Sequence, residues 1–165
     1  MPNWCDNYVV LKNSDSSKID ALEKELQKES PEVCNHLRPN PAGEWDYDWS
    51  VANWGTKWDM SVRDWGRNNP NEIWISFDSA WAPPVTLYEF LEENDWEVSG
   101  LYHEPGMGFA GKYEDGYDDY YEFDYSERSE VEKLPEEILE FTNAMEDLEN
   151  WEEENEAEAA ADVTD

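Results

Sequence analysis

Carboxylates are the most abundant chemically active side chains of this sequence, and they are concentrated towards its end. The 165 residues include 42 Asp and Glu against 11 Lys and Arg, which gives a formal net charge of -31. Residues 113–165 hold 22 of these acids and two bases, Arg128 and Lys133. So large an excess of like charge opposes compaction by self-repulsion. We therefore interpret the acidic end as the part of the chain that carries its function.

The spacing of these acids resembles that of phosphates in nucleic acid. Eleven acids occur in the 24 residues from Pro135 to Glu158, which on a continuous helix gives one charge per about 3.3 Å of axis. One strand of B-DNA carries one phosphate per about 3.4 Å. Interleaved Tyr residues add a side chain that is enriched at interface hot spots. The predicted partner-binding residues are Tyr117, Asp118, Asp119, Tyr120, Tyr121, Glu122, Asp124, Glu136, Glu137, Glu140, Glu146, Asp147 and Glu149.

Two other interpretations of the acidic end remain open. Charge runs commonly form a solvated helix face or a solubilising tail. Alternatively, Ile138, Phe141, Met145 and Leu148 form a heptad-like seam, which is typical of helices that pair with another helix. The protein would then be a non-catalytic oligomerising or partner-docking module, with a possible homodimer through the C-terminal helix. In that case the acidic face only solubilises it.

Enzymatic chemistry finds little support in the sequence. Cys34 and His36 stand two residues apart in a punctuated loop, and a cysteine nucleophile needs a base held within hydrogen-bond reach of its thiol. The acids around Gly116 do not follow the spacing of a calcium loop. No glycine loop precedes Lys and Ser or Thr, as a phosphate site would require. We predict no enzyme activity, no cofactor and no metal site.

The tryptophans offer one possible ligand site. Trp54, Lys57, Trp58 and Trp81 could line a groove with the lysine inside it. Trp is usually largely buried in folded domains, so core and hairpin packing explains most of these side chains better than a ligand site does. An enzyme of unknown chemistry that uses this groove is the third interpretation.

Composition limits the class of protein and of partner. The chain has 10 Trp, nine Tyr and five Phe, which is unlike a disordered acidic chain. The sequence shows neither a bilayer-length apolar run nor a signal peptide, so we expect a soluble protein of the cytoplasm with reduced cysteines and no membrane partner. Its negative field disfavours direct binding of nucleic acid. The expected partner is a basic nucleic-acid-binding protein.

Periodicity predicts the elements that position these groups. The segments Trp4–Lys12, Trp58–Arg63, Glu72–Ser79 and Trp96–Glu104 alternate as strands do, whereas Asp15–Glu29 and the segment after Pro84 have helical spacing. This β-α-β-β-α-β order predicts an α+β fold, a ferredoxin-like sandwich, with an added acidic edge hairpin within Tyr113–Tyr125 and a long acidic C-terminal helix. We predict a domain at residues 1–125, a helix at 126–151 and a disordered tail at 152–165.

Several strings resemble the YubB-like ferredoxin-like-domain proteins of bacteriophages and conjugative plasmids. They are Met1–Cys5, Asn53–Asp59, Ala80–Pro84, Tyr102–Gly106 and Phe109–Gly111. Their order and spacing agree over roughly residues 1–125. The resemblance implies a ferredoxin-like fold and a phage or mobile-element origin, and it brings no established activity and no catalytic residues. The acidic helix and tail lie outside it.

Together the acidic end and the resemblance predict a phage or mobile-element inhibitor of a host defence protein, of the restriction or CRISPR type. Carboxylates would occupy the basic DNA or RNA cleft of that protein in place of phosphates. Such an anti-defence DNA mimic acts without catalysis, through rapid electrostatically steered association.

Overall fold

The computed structural model describes residues 2–163, which form six strands and seven helices within that range. The strands are β1 (Trp4–Asn13), β2 (Ser61–Asn69), β3 (Glu72–Ala80), β4 (Trp96–Glu104), β5 (Phe109–Glu114) and β6 (Tyr117–Glu122). The helices are α1 (Ser16–Leu26), α2 (Val33–Leu37), α3 (Tyr47–Trp54), α4 (Val85–Glu93), α5 (Arg128–Val131), α6 (Glu136–Thr142) and α7 (Ala144–Val163).

The strands form one sheet in the order β2-β3-β1-β4-β5-β6. Every neighbouring pair is antiparallel. In β1 the alternate residues Cys5, Asn7, Val9 and Leu11 are buried and the residues between them are half-buried, as the period of two requires for a strand covered mainly on one face. The predicted α+β class is confirmed. Of the edge hairpin predicted within Tyr113–Tyr125, β6 lies inside that segment, whereas its partner β5 begins earlier, at Phe109.

Helices α1 and α4 pack on one face of the sheet. The main core lies between them and the strands, and it includes Val9, Leu22, Ile75, Leu87 and Val98. The apolar spacing of α1 places Ile19, Leu22 and Leu26 on its buried side, and the side chain of Asp15 caps its first turn by accepting a hydrogen bond from the backbone N–H of Ser17.

The C-terminal helices cover part of the opposite face. Ala110 of β5 and Ile138 and Leu148 of the helices belong to a second apolar cluster, whereas Tyr113 of the same strand belongs to the main core. Side chains of residues three apart on a strand point to opposite faces. The second cluster therefore lies on the far side of the sheet, over β4 and β5.

This packing uses the seam that we considered for a homodimer. Ile138 and Leu148 are 1% and 0% exposed, and Met145 packs against the same cluster. The apolar stripe contacts the protein's own sheet, which removes Ile138 and Leu148 from any interface with a second copy.

The C-terminal region differs from the predicted single helix at 126–151. Asn143 ends α6 in the left-handed conformation, with φ of 56°, and α7 begins at the next residue. Helix α7 then continues to Val163, so the predicted boundary between helix and disordered tail at residue 151 is wrong. Thr164 and Asp165, also assigned to that tail, lie outside the described residues.

The punctuated loop that we expected around Cys34 and His36, residues 32–48, contains α2 and the start of α3. The carboxylate of Asp59 accepts hydrogen bonds from the backbone N–H groups of Cys34 and Asn35 at 2.8 and 2.9 Å. These bonds satisfy donors at the start of α2 that have no partner within the helix. The capping residue is distant in sequence, which is why local pattern did not reveal the helix.

Candidate functional site

Strand β6 is the outer strand of the sheet and carries six of the 13 predicted partner-binding residues. It pairs with β5 alone among the described strands. Residues 117–120 are all exposed, and Tyr121 is half-buried against the second apolar cluster. Alternation divides the predicted residues into two rows. One row holds Asp118, Tyr120 and Glu122, and the row on the opposite face holds Tyr117, Asp119 and Tyr121.

Tyrosine hydroxyls hold two carboxylates at this edge. The hydroxyl of Tyr102 on β4 donates to Asp118, and that of Tyr120 donates to Glu122 at 3.0 Å. Burial, followed by the hydrogen bond to Asp118, raises the pKa of Tyr102. The phenol therefore remains a donor at neutral pH and fixes the position of the Asp118 carboxylate.

Lys112 attaches α6 to the sheet. Its ammonium lies 2.8 Å from carboxylate oxygens of both Glu114 and Glu137. Hydrogen bonds to Glu114 and then Glu137 raise the pKa of Lys112 to about 12. Glu137, a predicted partner-binding residue, is therefore already paired, and its charge is partly compensated within the protein.

The helical acids form a different surface from the one that a single helix would give. Glu136 and Glu140 lie on α6, whereas Glu146, Asp147 and Glu149 lie on α7, and all five are exposed. The helix is interrupted at Asn143. The charge spacing that we predicted for one continuous helix from Pro135 to Glu158 is therefore wrong. The structure divides the predicted set among β6, α6, α7 and the segment after β6, where Asp124 is exposed.

Helix α7 alone nevertheless retains the phosphate-like density. Its 20 residues include nine acids, and at a rise of about 1.5 Å per residue they give one carboxylate per about 3.3 Å. Every residue from Glu153 to Ala161 is exposed. At 100° per residue the eight acids from Glu146 to Glu158 spread over about two thirds of the circumference, and the remaining strip holds Leu148, which packs against the second apolar cluster.

The proposed tryptophan groove is present only in part. Trp54 is 4% exposed, and its indole N–H donates to the carbonyl of Arg38 at 3.0 Å, so it belongs to the core. The Lys57 ammonium lies 4.2 Å from the ring centre of Trp58 and 5.8 Å from that of Trp81. Trp4, which the sequence did not single out, stands 5.9 Å from Trp58.

The cysteines do not form a nucleophilic site. Cys34 is fully buried, and burial, followed by the charge of Asp59, raises the pKa of its thiol. The Nδ1 atom of His36 lies 3.9 Å from Glu25. A buried, protonated thiol is a poor nucleophile.

Between residues 2 and 163 no group of three or more His, Cys, Asp and Glu side chains could hold a metal ion. Over the same range no helix has both the length and the apolar character needed to cross a bilayer.

A cavity beside α7 was not predicted. It has a volume of 440 Å³ and lies between the end of β4, the segment that follows β6, and α7. Asp147 lines it and belongs to the predicted acidic patch, but its aromatic neighbours were not singled out. The spacing of Asp147, Trp151 and Glu154 was the available signal, because residues four and three apart share one helix face.

Comparisons with known proteins give little further information. No protein-family model matches the chain, and no curated protein matches it. One solved structure that it resembles is the crystal structure of protein api92 from Yersinia pseudotuberculosis, of family-model DUF1281. The two are 27% identical with a TM-score of 0.36, and the match covers 47% of this chain and 30% of that chain.

Proposed function

We propose that this protein inhibits a nucleic-acid-binding protein by occupying its basic cleft with carboxylates in place of phosphates. Helix α7 carries the proposal. It is an ordered rod about 30 Å long, it holds nine acids, and residues 153–161 are exposed on every side. An ordered array of this kind presents charge at fixed positions, which a solubilising tail does not.

Strand β6 supplies a second contact surface. Its exposed tyrosines, Tyr117 and Tyr120, are 69% and 48% exposed. Carboxylates steer association and set specificity more than they add affinity, whereas Tyr is a common hot-spot side chain. Acids and tyrosines together on an outer strand therefore support a protein interface better than a surface that serves only solubility.

We infer that the first four strands, together with α1 and α4, form a ferredoxin-like domain that carries these acidic surfaces. The first four strands occur in the order β2-β3-β1-β4, and α1 and α4 are the helices of the β-α-β-β-α-β unit, in agreement with that topology. Together with the resemblance to YubB-like proteins, this supports a phage or mobile-element inhibitor that acts in the host cytoplasm. The proposed target is a restriction or CRISPR-type defence protein, and the inhibition is not enzymatic.

Competition for DNA tests the proposal. Labelled duplex DNA is bound to each of a panel of restriction and CRISPR nucleases at about 50 mM salt, where charge contacts are strong, and the protein is added. We expect at least one nuclease to release its DNA at micromolar protein. If micromolar protein displaces DNA from none of them, the proposal is wrong.

A charge-matched pair of variants tests whether position matters. Glu146→Gln, Glu149→Gln and Glu153→Gln together remove three charges from α7. Glu29→Gln, Glu44→Gln and Asp48→Asn together remove three exposed charges elsewhere. We expect the α7 triple variant to compete at least about tenfold more weakly and the other to change by less than about threefold, because only the first alters contacts with the partner. Equal losses would indicate net charge alone.

A further inference from the structure

The cavity beside α7 has the composition of a site for an organic cation. Its 440 Å³ lies within the usual size range of ligand pockets. Four rings and two carboxylates line it, together with small and polar groups. The rings belong to His103, Phe123, Tyr125 and Trp151, and the carboxylates belong to Asp147 and Glu154.

The aromatic walls are only partly used by the core. The rings of His103 and Phe123 stack with centroids 6.1 Å apart and planes inclined by 19°. Tyr125 and Trp151 are 46% and 40% exposed, so their faces remain accessible from solvent. An aromatic face attracts a cation placed over it, and Trp does so most strongly.

The carboxylates complete a negative wall. Asp147, Trp151 and Glu154 follow one another at helical spacings of four and three residues, so both acids flank the indole on one face of α7. Neither acid forms an ion pair with a residue of the described range, whereas the neighbouring Glu152 binds Arg128 at 2.8 Å. None of the described residues that line the cavity is Lys or Arg.

We propose that this cavity binds the guanidinium group of an arginine side chain. The arginine would come from the basic partner, so the assignment of a protein ligand rests on the proposed function. A guanidinium is planar, weakly hydrated and able to stack on aromatic rings, and it donates two parallel hydrogen bonds to a carboxylate. An ammonium lacks the planar face and the paired donors. The cavity thus gives the acidic surface one specific contact in addition to long-range attraction.

His103 is compatible with such a ligand. Burial lowers the pKa of its imidazole, and the facing carboxylates of Asp6, Asp147 and Glu104 oppose that shift only in part. The ring is therefore neutral at pH 7 and does not repel a cation. A neutral imidazole also retains one acceptor nitrogen.

Titration with small probes tests the ligand class directly. Acetyl-arginine methylamide is added to the full-length protein, and the imidazole signals of His103 and the indole N–H signal of Trp151 are followed by NMR. We expect saturable shifts at millimolar probe, at least about threefold weaker binding of the lysine counterpart, and no saturation with the neutral citrulline counterpart. Absence of saturation with arginine, or equal response to lysine or citrulline, would overturn the proposal.

Matched variants locate the binding. Asp147→Asn with Glu154→Gln removes both cavity carboxylates, and we expect at least about tenfold weaker binding of the arginine probe. Glu156→Gln with Glu158→Gln removes two charges from the same helix outside the cavity, and we expect less than about twofold change. Trp151→Leu adds a test of the aromatic wall. If circular dichroism shows that Trp151→Leu is misfolded, the variant of the two exposed carboxylates, Asp147→Asn with Glu154→Gln, still decides the outcome. Equal weakening by both charge pairs contradicts a built site.

The two proposals can fail separately. If the protein displaces DNA from a nuclease and the Asp147→Asn, Glu154→Gln variant does so equally well, the arginine pocket is wrong and the inhibitor function stands. If the arginine probe saturates the cavity but no nuclease releases DNA, the inhibitor function is wrong and the pocket stands.

Discussion

The burial of His103 links the stability of the protein to pH. Its ring stacks on Phe123 at the edge of the second apolar cluster, and burial lowers its pKa below the ordinary value of 6.5. The unfolded chain therefore binds more protons than the folded protein does in the pH range just below 6.5. By linkage, this histidine makes the folded state lose stability as the pH falls through that range.

Replacement of His103 should remove this pH dependence. We expect the free energy of unfolding of wild type, relative to that of His103→Gln, to decrease as the pH is lowered from about 7 to about 5. Urea denaturation of both proteins at each pH gives the difference, and titration of the many carboxylates common to both largely cancels. A difference that stays constant or grows on acidification would contradict the lowered pKa.

At the scale of elements, Asn143 decides where the acidic helices point. Its left-handed conformation ends α6, and the neighbouring Thr142 hydroxyl donates to the carbonyl of Ile138 at 2.8 Å. The change of direction lets residues on both sides of the break, Ile138 and Leu148, reach one apolar cluster.

Substitutions at Asn143 test the role of the backbone. Asn143 is exposed, so its replacement removes little packing. We expect Asn143→Gly to change the free energy of unfolding by less than about 0.5 kcal/mol, and Asn143→Val to lower it by about 1–2 kcal/mol, because a branched residue strains in the left-handed region. Urea denaturation measures both. A Val variant as stable as wild type would show that the break does not depend on this conformation.

Helices and strands that depend on their own residue pattern could be predicted from the sequence. Those that depend on contacts with residues distant in sequence could not. The predicted strand Trp96–Glu104 coincides with β4, because alternation alone defines a strand buried on one face. Helix α2 depends on Asp59, and the docking of α7 depends on a sheet formed far earlier in the chain. A heptad-like seam has the same pattern whether it meets a second helix or a sheet, so periodicity could not identify its partner.

The candidate site was likewise predictable only in part. Composition located the carboxylates and the tyrosines, and most of them are exposed as expected. Their grouping could not be predicted, because it depends on the two faces of β6 and on the turn at Asn143. The cavity combines His103 from β4 with Trp151 from α7, two residues that come together only once the last helix has docked.

At the scale of the whole molecule, a few bases hold strongly acidic elements together. Arg67 of β2 contacts Asp20 and Glu23 of α1 at 2.8 and 2.7 Å, and Arg128 joins α5 to Glu152 of α7 at 2.8 Å. These pairs compensate a small part of a net charge of -31. Repulsion among the remaining acids opposes the compact state.

Added salt should therefore stabilise the protein. We expect the Tm to rise by several degrees between about 0.01 and about 0.5 M NaCl, because screening weakens long-range repulsion. Deletion of residues 153–165 removes six acids and little packing, since residues 153–161 are exposed, so it should reduce the rise. Thermal unfolding of both proteins across the salt series measures this. A Tm that falls with salt would mean that the ion pairs outweigh the repulsion.

The outer strand β6 also affects how copies of the chain behave towards one another. An unpaired strand edge is a template on which a second copy can add, and growth of that kind leads to fibres. Two copies meeting through β6 would bring Asp118, Asp119 and Glu122 of one against the same acids of the other. At the opposite margin β2 carries register shifts that interrupt its ladder. The carboxylates proposed to attract a basic target would thus also oppose self-assembly through the sheet, because like charges would face one another across the new strand pair.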